Sequence, residues 1–123
     1  MKLLGREVGF LRTVEAVCRV VEEMDGGDAK KSISAIFSKD FVEAHNASVQ
    51  FICIMSAGYE MRKHVEDPGY IMRPITREEV NAMTEKEMTA ALLEAVKAWN
   101  GEQPTIETEP AKKKEKPKGE KSS

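Results

Sequence analysis

The longest apolar run of the chain, VQFICIMSAGY at residues 49–59, lies within a segment of helical periodicity that extends from Ser38 to His64. At 100° per residue, this segment carries one broad apolar stripe and a narrower stripe on roughly the opposite side. The broad stripe consists of Phe41, Ala44, Ser48, Phe51, Ile52, Met55 and Tyr59, and the narrow stripe of Ala47, Ile54, Ala57 and Met61. Because a surface helix needs only one apolar side, the pattern predicts a central helix, capped by Ser38, with the broad stripe in the core of a small bundle.

The first 24 residues allow two interpretations. A helix along the whole segment would align apolar residues at steps of three and four, but Gly5 and Gly9 would each cost about 1 kcal/mol relative to alanine. Alternatively, a short β-hairpin or extended arm turns at Gly5 and continues to about Leu11, and Thr13 caps a helix over residues 14–24. Both interpretations stay open, with a preference for the second, and the helix over 14–24 is common to both.

Two less regular segments flank the central helix. Before it, a turn over residues 25–28 leads into a short helix over 29–37 that Asp28 caps. The inward-facing residues of this helix are predicted to be Ile33, Ile36 and Phe37. After the central helix, two prolines and a glycine interrupt the periodicity of residues 65–74. The residues predicted to hold this loop against the bundle are Tyr70, Ile71 and Met72.

Two capping boxes of the form Thr-x-x-Glu follow, at residues 76–79 and 84–87. In each, the threonine hydroxyl and the glutamate carboxylate can accept hydrogen bonds from backbone N–H groups that have no partner inside the helix. The first box predicts a helix of about two turns through Met83, and the second predicts a longer helix that ends at Asn100-Gly101. The core-facing residues of the longer helix are predicted to be Met88, Ala91, Leu92, Ala95 and Trp99.

The end of the chain has a different composition. Residues 102–123 consist mainly of proline, glutamate and lysine and carry a single isoleucine, which is too little apolar area to offset the entropy of ordering. We therefore expect a helical domain over residues 1–101 and a disordered tail over residues 102–123. The predicted fold is mainly α, a small bundle of about five helices, with a short N-terminal β-hairpin as the preferred start.

Composition and motifs narrow the chemistry. The net charge is −2, and a mildly acidic body argues against nucleic-acid binding, which requires a basic surface. The longest apolar run is shorter than the roughly 20 residues of a membrane-spanning helix, and no secretion signal is visible, so a cytoplasmic location without membrane contact is expected. Cys18 and Cys53 are predicted to be buried thiols, and neither His45 nor His64 has a partner at metal-ligand spacing. Since phosphate-loop and nucleophile motifs are also missing, we expect no catalytic residues, no metal, no cofactor and no enzyme activity.

Four segments resemble the tail assembly chaperones of siphophages and prophages. Residues 5–8 (GREV) and 10–16 (FLRTVEA) resemble the family's opening hairpin-like segment and first helix, and residues 38–59 resemble its central helix. Residues 74–79 (PITREE) and 84–99 resemble its paired closing helices, and a charged tail rich in proline, glutamate and lysine is also common in the family. The resemblance covers about residues 3–101 and implies a non-catalytic role.

The resemblance implies two protein partners. Such chaperones bind the long, hydrophobic tape measure protein, keep it soluble during tail assembly and help recruit the tail tube protein. They act in the cytoplasm of the bacterial host and are absent from the mature virion. In many of these phages a ribosomal frameshift makes a longer product, and the lysines of residues 111–114 are compatible with an A-rich slippery sequence.

The narrow stripe is the candidate partner-binding surface. A chaperone for a helical client needs apolar surface beyond its own core, and helix-in-groove docking would use Ala47, Ile54, Ala57 and Met61. The alternative is that this stripe packs against the helix over 14–24 or the helix over 85–99.

Two other functions stay open at this stage. One is a small regulatory or protein-interaction helical module of a mobile element, and the other is an enzyme subunit whose site another chain completes. A DNA-binding module would need a basic recognition helix, whereas the helices over residues 77–99 are rich in glutamate.

Overall fold

The structure, a computed structural model, describes residues 1–24 and 29–101. Within these ranges the chain forms one two-stranded antiparallel hairpin and five α-helices. In chain order they are β1 (Lys2–Leu3), β2 (Arg6–Glu7), α1 (Val14–Glu23), α2 (Ala29–Ala35), α3 (Phe41–Glu66), α4 (Arg77–Asn81) and α5 (Glu85–Trp99). The prediction of a small, mainly helical bundle with a short N-terminal hairpin is confirmed. The predicted turn over 25–28 and the predicted disordered tail over 102–123 lie outside the described residues.

The N-terminal segment adopts the hairpin-and-arm arrangement. β1 pairs with β2 through Lys2 opposite Glu7 and Leu3 opposite Arg6. Leu4 and Gly5, the two residues of the turn, both have positive φ (53° and 77°), as a tight two-residue hairpin turn requires. The arm then ends at Thr13, whose side chain accepts a hydrogen bond from the Ala16 N–H at 3.1 Å and caps α1. The interpretation of a single helix over residues 3–24 is therefore wrong.

The N-cap of the central helix lies two residues after the predicted one. Asp40 is the N-cap of α3, since its carboxylate accepts from the Glu43 N–H at 3.1 Å. Ser38 instead supports that cap: its hydroxyl accepts from the Asp40 N–H and donates to the Glu43 carboxylate at 2.7 Å. The prediction of a Ser38 cap is wrong because the chain offers an equally good capping side chain closer to the apolar run.

α3 is the core of the molecule. Each of the other four helices packs against it, and α1 and α2 also contact each other. The ten buried residues of α3 all lie between Ala47 and Glu60, and at 100° per residue they occupy about 240° of the helix circumference. The predicted core stripe is correct from Ser48 to Met55, but Phe41 at its start is 79% exposed. The first turn of α3 therefore extends beyond the elements that cover the rest of the helix.

The N-terminal arm crosses α3 at very short range. The Leu11 N–H donates to the Met55 carbonyl oxygen at 3.1 Å. At the same crossing, a Cβ atom added to Gly58 would lie 2.6 Å from the Leu11 carbonyl oxygen. Only glycine at position 58 allows the two backbones to approach this closely.

Polar contacts rather than apolar ones hold the loop after α3. Glu60 on α3 is only 2% exposed, and its carboxylate accepts from the Tyr70 hydroxyl at 2.7 Å and from the Arg73 N–H at 2.8 Å. Ile75 is buried, and its N–H donates to the Ser56 hydroxyl. The prediction that Ile71 and Met72 hold the loop is wrong, since both are exposed. The chain that follows Tyr70 is fixed by Glu60 and Ile75 instead.

Both predicted capping boxes are present. Thr76 with Glu79 starts α4, and Thr84 with Glu87 starts α5. α4 is shorter than predicted, because it ends at Asn81. The residues predicted to form the inner face of α5 are buried or half-buried, and Gly101, with φ of 82°, follows its end as expected.

Trp99, the last residue of α5, contacts both the central helix and the N-terminal arm. The Trp99 ring contacts Phe51 of α3 edge to face, with 5.7 Å between ring centroids. On its other side the Arg12 guanidinium lies 4.4 Å from the ring centroid and donates to the Trp99 carbonyl oxygen. Through this contact the arm that precedes α1 is joined to the end of α5.

An ion pair joins the hairpin to α4. One Arg6 guanidinium nitrogen lies 3.3 Å from the Glu79 carboxylate, and another donates to the Arg73 carbonyl oxygen at 2.7 Å. The Thr76 N–H donates to the same carboxylate. The hydrogen bond from Thr76 and, after it, the Arg6 charge lower the pKa of Glu79 below its ordinary value.

The first prediction concerns the crossing of the arm over α3. Gly58→Ala should destabilise the fold by about 1–2 kcal/mol, because the clash with the Leu11 carbonyl oxygen outweighs alanine's higher helix propensity. The free energy of unfolding in urea measures this. Gly69→Ala is the control, since its new Cβ would meet only Asp67 at 3.5 Å. A stabilised Gly58→Ala variant would mean that the two backbones are not in contact.

The second prediction concerns the pH dependence of the Glu79 contacts. A carboxyl whose pKa is lowered on folding adds stability above its unfolded pKa of about 4.3, and this contribution is lost as the pH falls through the folded value. Glu79→Gln, which can keep the capping box, should therefore cost about 0.5–1 kcal/mol at neutral pH and clearly less near pH 3. Urea unfolding at both pH values measures the difference.

The control for this prediction is Glu78→Gln. Glu78 also lies in the first turn of α4 and shares its helix dipole, but it is exposed. An equal pH-dependent loss in both variants would assign the effect to the dipole and not to Arg6 and Thr76.

Candidate functional site

Both histidines lie within hydrogen-bond distance of another residue of the fold. His45 lies 3.2 Å from the Asn81 side-chain oxygen, and His64 lies 2.8 Å from the Tyr70 carbonyl oxygen. Over residues 1–24 and 29–101, no group of three or more His, Cys, Asp or Glu side chains is placed to hold a metal ion. In the same ranges, no helix combines the length and the apolar character that crossing a membrane requires.

The two cysteines differ from each other. Cys18 is exposed, so the prediction that it is buried is wrong. The buried face of α1 consists of Ala16 and Val20, and Cys18, midway between them in sequence, points away from that face. Cys53 on α3 is half-buried, and this burial raises the pKa of its thiol, which makes it a poor nucleophile.

Glu60 is the buried carboxylate most worth testing as a catalytic group. Its Oε1 accepts hydrogen bonds from the Tyr70 hydroxyl and the Arg73 N–H, and the bond to Glu60 raises the pKa of the Tyr70 hydroxyl. Both donors belong to the loop that follows α3, so these bonds have a structural role within the fold. Glu60 therefore holds the loop after α3 against the helix.

The narrow stripe of α3 faces α1. Ala47 and Ile54 are 6% and 1% exposed, so they belong to the bundle core, and the prediction that they form a free partner surface is wrong. Ala57 and Met61 are half-buried and line a pit of about 40 Å³ between α3 and α1. The first two positions are covered because α1 packs along that side of α3. Partner binding at Ala57 and Met61 stays a prediction.

Three exposed apolar side chains lie close together in the sequence between the end of α2 and the first turn of α3. Phe37, Phe41 and Val42 are 68%, 79% and 64% exposed within six consecutive positions. The prediction that Phe37 and Phe41 face inward is wrong. We call these three residues the apolar corner.

A groove opens beside the apolar corner. Its volume is about 440 Å³, within the range of about 300–1,000 Å³ that ligand pockets occupy. The residues that line it come from the C-cap of α1, the last residue of α2, and the N-cap and first half of α3: Met24, Ala35, Asp40, Val42, Glu43, Asn46, Ala47 and Gln50. We call it the α1–α3 groove. Val42 belongs to both the groove lining and the apolar corner, so the two surfaces adjoin at this residue.

The position of this surface follows from the cap of α3. Because Asp40 starts the helix, Phe41 and Val42 fall in its first turn, whereas the buried residues of α3 begin only at Ala47. The signal was present in the sequence as three large apolar residues around the polar segment Ser38–Asp40. Helical periodicity assigns such residues to a core, since it does not reveal where neighbouring elements stop covering a helix.

Comparison of the chain with protein-family models, curated proteins and solved structures finds no match. The structural observation that bears on function is therefore the exposed apolar corner beside the α1–α3 groove. Exposed aromatic and aliphatic side chains beside an open groove are suited to binding the apolar side chains of another protein. Helical segments fit such grooves when their apolar residues recur every three or four positions.

Proposed function

We propose that this protein is a non-catalytic phage tail assembly chaperone that binds the tape measure protein and helps recruit tail tube subunits. Two things support the proposal: the resemblance of residues 3–101 to that family, and the exposed apolar corner beside the α1–α3 groove. The apolar corner is the observation that carries it, because a chaperone must offer apolar surface that its own core does not use.

The apolar corner can supply the binding free energy that a reversible client contact needs. Full burial of a phenylalanine or valine side chain contributes about 1.5–3 kcal/mol. Three such side chains therefore supply several kcal/mol, part of which is spent on the lost motion of client and chaperone. A contact of this strength holds a client during assembly and still allows the chaperone to leave.

The proposed setting is the cytoplasm of the bacterial host, with the chaperone absent from the mature virion. The lysines of residues 111–114 fit a slippery sequence for a frameshifted longer product. The coding sequence tests this part directly. Lysine codons that are mostly AAG, with no overlapping frame downstream, contradict it, and a neighbouring gene for a very long tape measure protein supports the proposed class.

The third prediction tests client binding at the apolar corner. Phe41→Ser should weaken binding of the proposed client, a tape measure protein, by about tenfold, because the phenyl ring is then missing from the interface. The melting temperature should stay within about 2 °C, since surface substitutions change stability little. Co-expression, recovery of soluble client and titration of the purified proteins measure both effects.

Ile71→Ser is the matched control for Phe41→Ser. Ile71 is 79% exposed, like Phe41, but it lies in the loop after α3 and does not belong to the apolar corner. It should keep full client binding. Equal loss in both variants, or full binding by Phe41→Ser, would remove the apolar corner from the client contact.

A further inference from the structure

We propose that the α1–α3 groove takes an amphipathic client helix whose apolar side is bordered by lysine or arginine residues. The inference deepens the proposed function and rests on it in one respect, namely that the occupant is a helical client. It assigns to this groove a preference for the charge of the bound segment.

The charged side chains of the groove lining are acidic. Within residues 1–24 and 29–101, Asp40 and Glu43 are the only ionisable residues that line it, and both are exposed. Among the described residues, neither carboxylate forms an ion pair. One Asp40 oxygen accepts a hydrogen bond from the Glu43 N–H, and one Glu43 oxygen accepts from the Ser38 hydroxyl. Each carboxylate therefore keeps a second oxygen that can accept from a partner.

Nearby positive charge offsets this only in part. The N-terminus of α3 carries roughly half a positive charge, so the lining keeps a net charge of about −1.5. Lys39 is exposed and next to Asp40, but it does not line the groove. A basic flank on the client would meet the two carboxylates, and an acidic flank would be repelled by them.

The apolar part of the groove fits the other side of such a helix. Met24 and Ala47 are buried, while Val42 stands exposed at the edge. Phe41 stacks on the His45 ring, with 6.3 Å between centroids, on a side of α3 that does not line the groove. Val42 is exposed and Ala35 is half-buried, so apolar client residues spaced by three or four positions can reach these two side chains while the basic flank lies over Asp40 and Glu43.

The walls of the groove are held in place without a client. The Gln50 side-chain amide donates to the Glu23 carbonyl oxygen at 3.2 Å, which ties α3 to the end of α1. On the other side, the Asp40 cap and the Ser38 hydroxyl fix the start of α3. A surface that is already in its bound shape loses little freedom on binding.

The test uses two synthetic peptides of about five helical turns with the same leucine stripe, one flanked by lysine and the other by glutamate. Fluorescence anisotropy gives the Kd of each for the full chain. The leucine–lysine peptide should bind at least about tenfold more tightly, and its Kd should rise with salt concentration. Equal Kd values for the two peptides would overturn the proposed charge preference.

Two double variants locate the effect. Asp40→Asn with Glu43→Gln removes both groove charges and keeps the helix cap, since asparagine caps as well as aspartate. It should reduce the preference for the lysine peptide by about fivefold or more. Glu78→Gln with Glu85→Gln removes two exposed first-turn carboxylates of α4 and α5 and should leave the preference unchanged. Equal loss in both double variants would assign the preference to net charge and overturn the inference.

The same measurements separate this inference from the proposed function. If the lysine peptide binds as expected while the tape measure protein does not bind, the groove keeps its assigned chemistry and the chaperone proposal fails. If the tape measure protein binds through the apolar corner while the two peptides bind equally, the chaperone proposal stands and the charge preference is wrong.

Discussion

The fold depends on the burial of α3 between Ala47 and Glu60. A helix that is covered over most of its circumference cannot be stabilised by one neighbour, so hairpin arm, α1, α2, α4 and α5 must all reach it. The arm comes very close to α3 at Gly58, where a side chain would not fit. Fully buried residues such as Phe51 and Ile52 each contribute about 1.5–3 kcal/mol, which makes α3 the largest single source of stability.

The buried part of α3 also includes polar side chains, whose hydrogen-bond partners come from other parts of the chain. Ser56 and Glu60 are buried on α3, and a buried hydroxyl or carboxylate is costly without hydrogen-bond partners. The loop after α3 supplies these partners through Tyr70, Arg73 and Ile75. Its path is therefore set by two polar side chains of the central helix, and Ile71 is left in solvent.

Local signals in the sequence predict most of the fold, while the surface requires the structure. The Thr76 and Thr84 boxes and the cap at Thr13 depend on side chains within three residues, so the sequence predicts them correctly. Periodicity assigns Phe37 and Phe41 to the core and Ile54 to a partner surface, because it gives the apolar side of a helix but not the extent of its neighbours. The candidate site could therefore not be predicted from the sequence, because it depends on where the neighbouring elements stop covering α3.

The central claim is that α3 has two functions along its length, an interior scaffold from Ala47 to Glu60 and an exposed client-binding start at Phe41 and Val42. Hydrogen exchange of the free chain and of its complex with the tape measure protein tests this most directly. The expected result is slowest exchange at residues 47–60 in the free chain and a gain of protection on binding at residues 35–47. A gain confined to residues 57–66, with no change around Phe41, would contradict it.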